Sequence, residues 1–316
     1  MHFCNGGSME FLYFLEGLRT PIGDTFFALI THLGEETLFI VAGLLIFWCV
    51  NKMEGYYLLT VGLSGTVINQ FLKLWFRIPR PWVKDPDFTI VESARAEATG
   101  YSFPSGHTQS SVGIFGALAK WNHSLVLRAV CFLICVLVPL SRMYLGVHTP
   151  ADVGVSIVVA LCLIVGIYPM VQKAVKEPKY MRILMGCMLL GAVLFVVFVE
   201  CYAFPADIDP HNMESGLKNA YTMLGCILGV WLTYEVDLRW LRFETKAALA
   251  AQICKLVLGL AILLGIKAGL KAPLLALCGG HHAADAIRYF LMVAFAGCVW
   301  PKTFPVWEKI ATRMPR

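Results

Sequence analysis

The sequence predicts an all-α fold, a polytopic transmembrane helical bundle of about nine spanning helices preceded by an amphipathic N-terminal segment. Three observations carry that expectation. Hydrophobic residues make up 58% of the 316 positions and charged residues only 15%, where soluble domains run nearer about 25% charged. The mean hydropathy is +0.68. Several apolar runs reach the roughly 18 residues needed to cross ~30 Å of hydrocarbon.

In chain order, residues 9–33 read as one or two amphipathic helices. Met9, Phe11, Leu12, Phe14, Leu15 and Leu18 are apolar, but Glu10, Glu16, Arg19, Pro21 and Asp24 hold the segment below spanning length, so it is expected to lie in the interface. The same charges argue against a cleavable signal peptide. Spanning helices are expected near 35–51, 56–76, 106–120, 125–141, 150–170, 181–200, 218–236, 248–268 and 286–302. The domain expectation is an interfacial segment 1–34, a core 35–172 holding the chemistry, and helices of unassigned role in 173–316. The charged, Pro-containing loop Lys173 to Tyr180 marks the last division.

The net charge of +5 is spread over short loops, which reads as membrane topology and not as a nucleic-acid-binding stripe. The eleven Cys are scattered, mostly inside apolar runs, and no C-x-x-C pair occurs. They read as small buried hydrophobes, and no zinc or redox motif is expected.

Three polar stretches interrupt the apolar pattern, and the helix count puts all three on one membrane face. The first runs from Lys73 to Pro81. Lys73 and Arg80 lie two helical turns apart and share a face if the helix persists, although Pro79 and Pro81 make its end irregular. Alone, the stretch would pass for a snorkelling basic cluster. Two cations side by side otherwise call for an anion between them, phosphate being the usual one.

The second stretch is Pro104-Ser105-Gly106-His107, a turn into a helix with Ser105 as the expected N-cap. Its free N–H groups and positive dipole end favour an anion, and Gly106 allows close approach. A capped helix with a surface His is the plainer reading.

The third is Ser141 to Asp152. Arg142 is a second fork-shaped donor for phosphate oxygens. Thr149, Pro150 and Asp152 fit a helix start, with the cap, the first helical position and the capping-box acid in order. His148 lies four residues before Asp152, close enough for the carboxylate to accept an imidazole N–H and orient the ring. An unrelated His beside a capping Asp is the alternative. Together, Lys73, Arg80 and Arg142, a dipole-bearing Gly turn, two His and one Asp describe a phosphoryl-transfer site that needs no metal.

The pattern Lys-x6-Arg-Pro, Pro-Ser-Gly-His and Ser-Arg-x5-His-x3-Asp resembles the three-part signature of the type 2 phosphatidic acid phosphatase superfamily, over about residues 30–170. The resemblance implies that His148 is a nucleophile forming a phosphohistidine, that Asp152 orients it, and that His107 is the general acid. It implies phosphate binding by Lys73, Arg80, Ser105, Gly106 and Arg142, with no metal and no cofactor. Nine helices with the motifs between helices 2 and 5 are similar to the glucose-6-phosphatase and sphingosine-phosphate phosphatase branches.

The expected substrate is a lipid phosphate or isoprenoid diphosphate, since the site sits at the membrane boundary; a water-soluble sugar phosphate is the alternative, and a non-catalytic transporter or binder of a phosphorylated ligand is a third. The loop 82–103 (Trp82, Val83, Phe88, Glu92, Arg95, Tyr101) is the expected substrate-selecting segment. The partners are the membrane bilayer and that substrate, with no nucleic acid; a homo-oligomer is left open.

Fourteen Lys and Arg fall on the face opposite the motifs or in the C-terminal tail. Eight remain on the motif face once Lys73, Arg80 and Arg142 are set aside for chemistry. The positive-inside rule then turns the motif face outward or towards a lumen, in a multi-pass plasma or inner membrane protein. Beyond residue 180, His281-His282-x2-Asp285 reads as a polar loop, Glu235 to Arg242 as a charged helix end, Glu200 as a helix boundary, and Lys255 as a snorkelling side chain.

Overall fold

The structure, a computed structural model, describes residues 6–313; Arg316 and residues 1–5, included in the expectations above, lie outside the described residues. The chain is about 80% helix with no strand among the described residues. The helices are α1 (Gly6–Gly17), α2 (Pro21–Thr31), α3 (Glu36–Cys49), α4 (Lys52–Phe76), α5 (Pro81–Lys84), α6 (Gly106–Trp121) and α7 (Leu125–Tyr144). They continue with α8 (Pro150–Ala174), α9 (Lys179–Cys201), α10 (Pro210–Val236), α11 (Leu249–Gly269), α12 (Lys271–Leu277), α13 (Ala283–Ala294) and α14 (Phe304–Arg313).

Their starts follow from local side-chain chemistry. The Oγ atoms of Thr20, Ser105 and Ser124 accept from the amides of Gly23, Thr108 and Leu127 and cap α2, α6 and α7. Asn51 and Asp209 do the same for α4 and α10. At α8 the capping box is reciprocal: Thr149 N–H donates to Asp152 Oδ2 at 2.8 Å, and Asp152 N–H to Thr149 Oγ1 at 3.3 Å.

Each expected spanning segment falls on a helix. Among the described residues, five are fit by length and composition to cross a membrane: α7, α8, α9, Leu249–Leu277 and Ala283–Ala311. A sixth arises if Pro21–Gly34 and Glu36–Cys49, bent by 49°, form one span. The remainder are shorter or more polar. The 16 residues of α6 reach only about 24 Å at 1.5 Å per residue. Within α4 stand Glu54, Asn69, Gln70 and Lys73, and α10 carries His211, Asn212, Glu214, Lys218 and Glu235. The apolar faces of the long helices stay open, as Val126 and Phe132 of α7, 76% and 71% exposed, illustrate. Lipid is the solvent such surfaces require.

The chain forms two compact units. The first comprises Met1–Ile40, Ser64–Tyr168 and Phe204–Gly216 and holds all three polar stretches. The second comprises Val41–Leu63, Pro169–Ala203 and Leu217–Arg316. Within it, close packing of small residues seats α10 on α13: a Cβ on Gly229 would lie 2.7 Å from Val293 Cβ. Gly259 of α11 likewise leaves room for the rings of Trp48 and Trp300. The charged end of α10 is tied down, with Arg182 and Arg239 on Glu235 and Lys52 on Asp237 at 2.8 Å.

One expectation about this unit is overturned. Lys255 does not snorkel: it is 1% exposed. Its ammonium lies 4.6 Å from the centre of the Phe304 ring and 3.4 Å from the Thr245 carbonyl oxygen. An aromatic face and a carbonyl give the amine an internal seat.

Candidate active site

The expected two-turn helical face joining Lys73 to Arg80 does not exist, because α4 stops at Phe76. Arg77 turns into the left-handed region (φ 51°), its side chain donates to the Leu74 carbonyl, and Pro79 and Pro81 prevent the helix from resuming. The chain instead folds back, and Arg80 enters the site as the residue preceding α5.

That path still brings the three stretches together. Lys73, Arg80, Gly106, His107, Arg142 and His148 line one cavity of about 180 Å³, whose wall also includes Asn69, Gln109, Thr99 and Glu97. Lys73, Arg80, Ser105, Arg142, His148 and Asp152 are all buried. Ser105 sits behind the cavity, joined to α8: its amide donates to the Asp152 carbonyl, and its own carbonyl accepts from Ser156 Oγ.

Lys73 and Arg80 are held by main-chain oxygens, Arg142 by a threonine hydroxyl. Arg80 donates to Gly100 O at 3.1 Å, Thr99 O at 2.6 Å and Val147 O at 3.0 Å, and the Lys73 ammonium to Tyr101 O. Arg142 Nη1 donates to Thr31 Oγ1 at 2.6 Å, while its Nε is buried without a protein partner. Carbonyls orient a guanidinium without neutralising it, so the cavity keeps its positive field.

The two ring nitrogens of His148 are distinguished by their neighbours. Arg80 Nη1 lies 2.8 Å from Nε2, and a guanidinium can only donate. Nε2 is therefore the acceptor and the ring proton sits on Nδ1, which faces Asp152 Oδ2 at 3.4 Å. That oxygen also accepts from Ser102 Oγ at 2.6 Å and from the Thr149 amide. Burial, and after it Arg80, Arg142 and Lys73, hold His148 well below the ordinary imidazole range. Burial lowers Arg80 to about 10, against the pull of Asp152, so it stays cationic at neutral pH. The arrangement is an uncharged imidazole inside a cationic pocket, its Nε2 lone pair accepting from Arg80 until an oxyanion displaces that guanidinium. It can bind a tetrahedral oxyanion and attack its centre.

Sequence reasoning missed several parts of this wall. Ser102 and the carbonyls of Thr99, Gly100 and Tyr101 end the loop that was expected to select substrate; here they hold the cations and the carboxylate. Thr31 comes from the segment expected to be interfacial. Main-chain acceptors leave no mark in residue type, so no spacing could have disclosed them. Trp82 lies between the guanidiniums of Arg80 and Arg95, 5.9 and 5.5 Å from its ring centre, while Phe88 is buried against Leu12 and Ile90.

The PAP2 superfamily model matches residues 54–176, and the model for the PAP2 superfamily phosphatase transmembrane extension matches residues 221–313, together more than half of the sequence. The chain belongs to the PAP2 superfamily. It is 26% identical over 252 residues to a probable sphingosine-1-phosphate phosphatase of Dictyostelium discoideum, covering 75% of this chain and 58% of that protein. It is 36% identical over 102 residues to the undecaprenyl-diphosphatase BcrC of Bacillus subtilis, covering 32% of this chain and 50% of that one. Among solved structures, Aquifex aeolicus LpxE aligns over 52% of this chain and 94% of its own, at 25% identity and a TM-score of 0.45.

Proposed function

We propose that the chain is an integral-membrane phosphatase, independent of metal, that hydrolyses a lipid phosphate or isoprenoid diphosphate through a phosphohistidine at the extracytoplasmic face. The observation that carries this reading is the environment of His148. Its Nε2 accepts from Arg80 in the cavity that Lys73, Arg80 and Arg142 line, and its Nδ1 proton points at Asp152. Residues 35–172 form the phosphatase core in this reading. Residues 1–34 lie at the interface, and the helices of 173–316 complete a bundle of about nine spans.

In the reaction, the phosphoryl group displaces Arg80 from Nε2 and settles among the three cations and the N-terminus of α6. Nε2 attacks phosphorus, the bond to the leaving oxygen breaks, and His107 delivers a proton to that oxygen. The growing charge on the imidazole is matched by Asp152, which Ser102 and the Thr149 amide hold in place. Water, losing its proton to His107, then hydrolyses the phosphohistidine and returns His148 to its neutral form. The fixed cations stabilise the equatorial oxygens throughout. The relatives named for a sphingosine phosphate and an isoprenoid diphosphate support an amphiphilic substrate with its tail in hydrocarbon.

The test is phosphate release by the purified protein, with a chelator present, from an isoprenoid diphosphate, phosphatidic acid, a sphingoid-base phosphate and a sugar phosphate. The expected result is chelator-resistant turnover of a lipid substrate, with alkali-stable ³²P trapped on the wild type and absent from His148→Ala. Full turnover by His148→Ala would refute the mechanism. Preference for the sugar phosphate would refute the substrate class.

A further inference from the structure

A second group of ligating side chains stands at the mouth of the cavity. His32 opens the turn His32–Gly34 that links α2 to α3, Glu35 ends it, and Glu97 comes from the loop before α6. One ligand atom from each lies within 4.8 Å of the others. His32 Nδ1 touches Glu35 Oε1 and lies 3.4 Å from Glu97 Oε1. The His32 side chain is 52% exposed, so an ion can reach the group from solvent.

Glu97 also faces inward. Its Oε2 is buried without a hydrogen bond, 3.5 Å from His107 Nε2, which is likewise buried and without one. One carboxylate therefore touches the rim group with one oxygen and the cavity histidine with the other.

Two carboxylates converging on one imidazole nitrogen repel each other unless a positive charge, a proton on the ring or a bound ion, lies between them. One nitrogen and two oxygens suit a first-row transition ion, Zn²⁺ above all, with water completing the shell. Mg²⁺ and Ca²⁺ favour oxygen-only sites and fit poorly.

We propose that His32, Glu35 and Glu97 form an inhibitory binding site for a divalent transition-metal ion, with Zn²⁺ the best match. An ion there holds Glu97 by one oxygen while the other still faces His107, so the bound cation and the cavity histidine share one carboxylate of the cavity wall and the phosphoryl group must be accommodated around it. Binding stands on the geometry alone, whereas inhibition rests on the phosphatase reading above.

The experiment separates the two. Equilibrium dialysis of the purified protein against Zn²⁺ should give one ion per chain, lost in both His32→Ala and Glu35→Gln, with thermal unfolding of the metal-free variants matching the wild type. Co²⁺ in place of Zn²⁺ should give visible d–d bands in the wild type only. Phosphate release should fall at least tenfold on Zn²⁺ saturation, with an inhibitory concentration at least tenfold higher in either variant and basal turnover unchanged. Absence of bound Zn²⁺ from the wild type, retention of the stoichiometry in the variants, or equal binding of Mg²⁺ would overturn the site. Binding with undiminished turnover would overturn the inhibition, and a protein that binds Zn²⁺ but releases no phosphate from any substrate would refute the phosphatase reading while leaving the site standing.

Discussion

His148 can serve as a nucleophile only while Nε2 is unprotonated, and the arrangement around it enforces that state. Arg80 donates to Nε2, and both burial and the neighbouring cations disfavour a positive ring. Nitrogen-15 NMR of histidine-labelled protein should show one imidazole as the neutral Nδ1–H tautomer from pH 7.5 to 5.5, and that signal should vanish in His148→Asn. An imidazole that titrates normally would contradict the picture. Stability follows by linkage. The folded ring stays neutral where the unfolded one protonates, so its contribution is complete above about pH 6.5. It is lost as pH falls towards the folded value, by up to ~1.4 kcal/mol per pH unit. Thermal unfolding at pH 7.5, 6.5 and 5.5 should lose this slope in His148→Asn. Ser102 is the residue that sequence could not single out, a serine without motif or spacing, yet it is fully buried and donates to Asp152 at 2.6 Å. Ser102→Ala should cost about 1.5–3 kcal/mol of stability, the range for a hydrogen bond to a charged group. It should also lower kcat more than it raises KM, because Asp152 matters most when the ring becomes cationic.

At the scale of elements, the turn between α7 and α8 depends on residues far away in sequence. Gly146 adopts φ 81°, and a Cβ there would meet Arg19 Nη2 at 2.7 Å and Phe88 at 3.0 Å. Arg19 also donates to Tyr144 O and Thr89 O, and Val91 N–H donates to Leu145 O. The α1–α2 junction and the loop before α6 thus clasp the segment that presents His148. Gly146→Ala combines a left-handed backbone with a steric clash, at a cost of about 2–4 kcal/mol. The expected result is a lower thermal midpoint and a loss of phosphate release greater than unfolding alone explains. Near-wild-type values for both would show that the clasp is not needed. The helices themselves were legible because apolar runs and caps are local: Ser105 and Thr149–Pro150–Asp152 were read as helix starts and are so. The path from Lys73 to Arg80 was not, since periodicity cannot say that a helix stops at Phe76 and reverses through Arg77. The role of Arg19 was equally hidden, because a basic residue near a membrane reads first as a topology signal.

For the whole molecule, the sequence conveyed an all-helical membrane protein because composition is a bulk property that no tertiary detail can reverse. The number of spans was harder to read, because α4 and α6 place polar residues inside the protein, where hydropathy counts them as if they met lipid, and α10 begins with exposed polar residues, His211, Glu214 and Lys218. Lys255 shows the converse error: judged by type it belonged at the interface, yet Phe304 and a carbonyl seat it internally. Orientation depends on a different sum, the excess of Lys and Arg in the loops opposite the motifs, fourteen against eight. The energetic bias of such loops acts during insertion and is independent of the site's chemistry. Reporter fusions therefore test it directly. Alkaline phosphatase fused after Asp207, in the loop between α9 and α10 on the motif side, should be active, and fused after Glu177, in the loop between α8 and α9, inactive. A fluorescent protein that matures only in the cytoplasm should give the opposite pattern at the same positions. The reverse result would place His148 at the cytoplasmic face and require its substrate to be drawn from the inner leaflet.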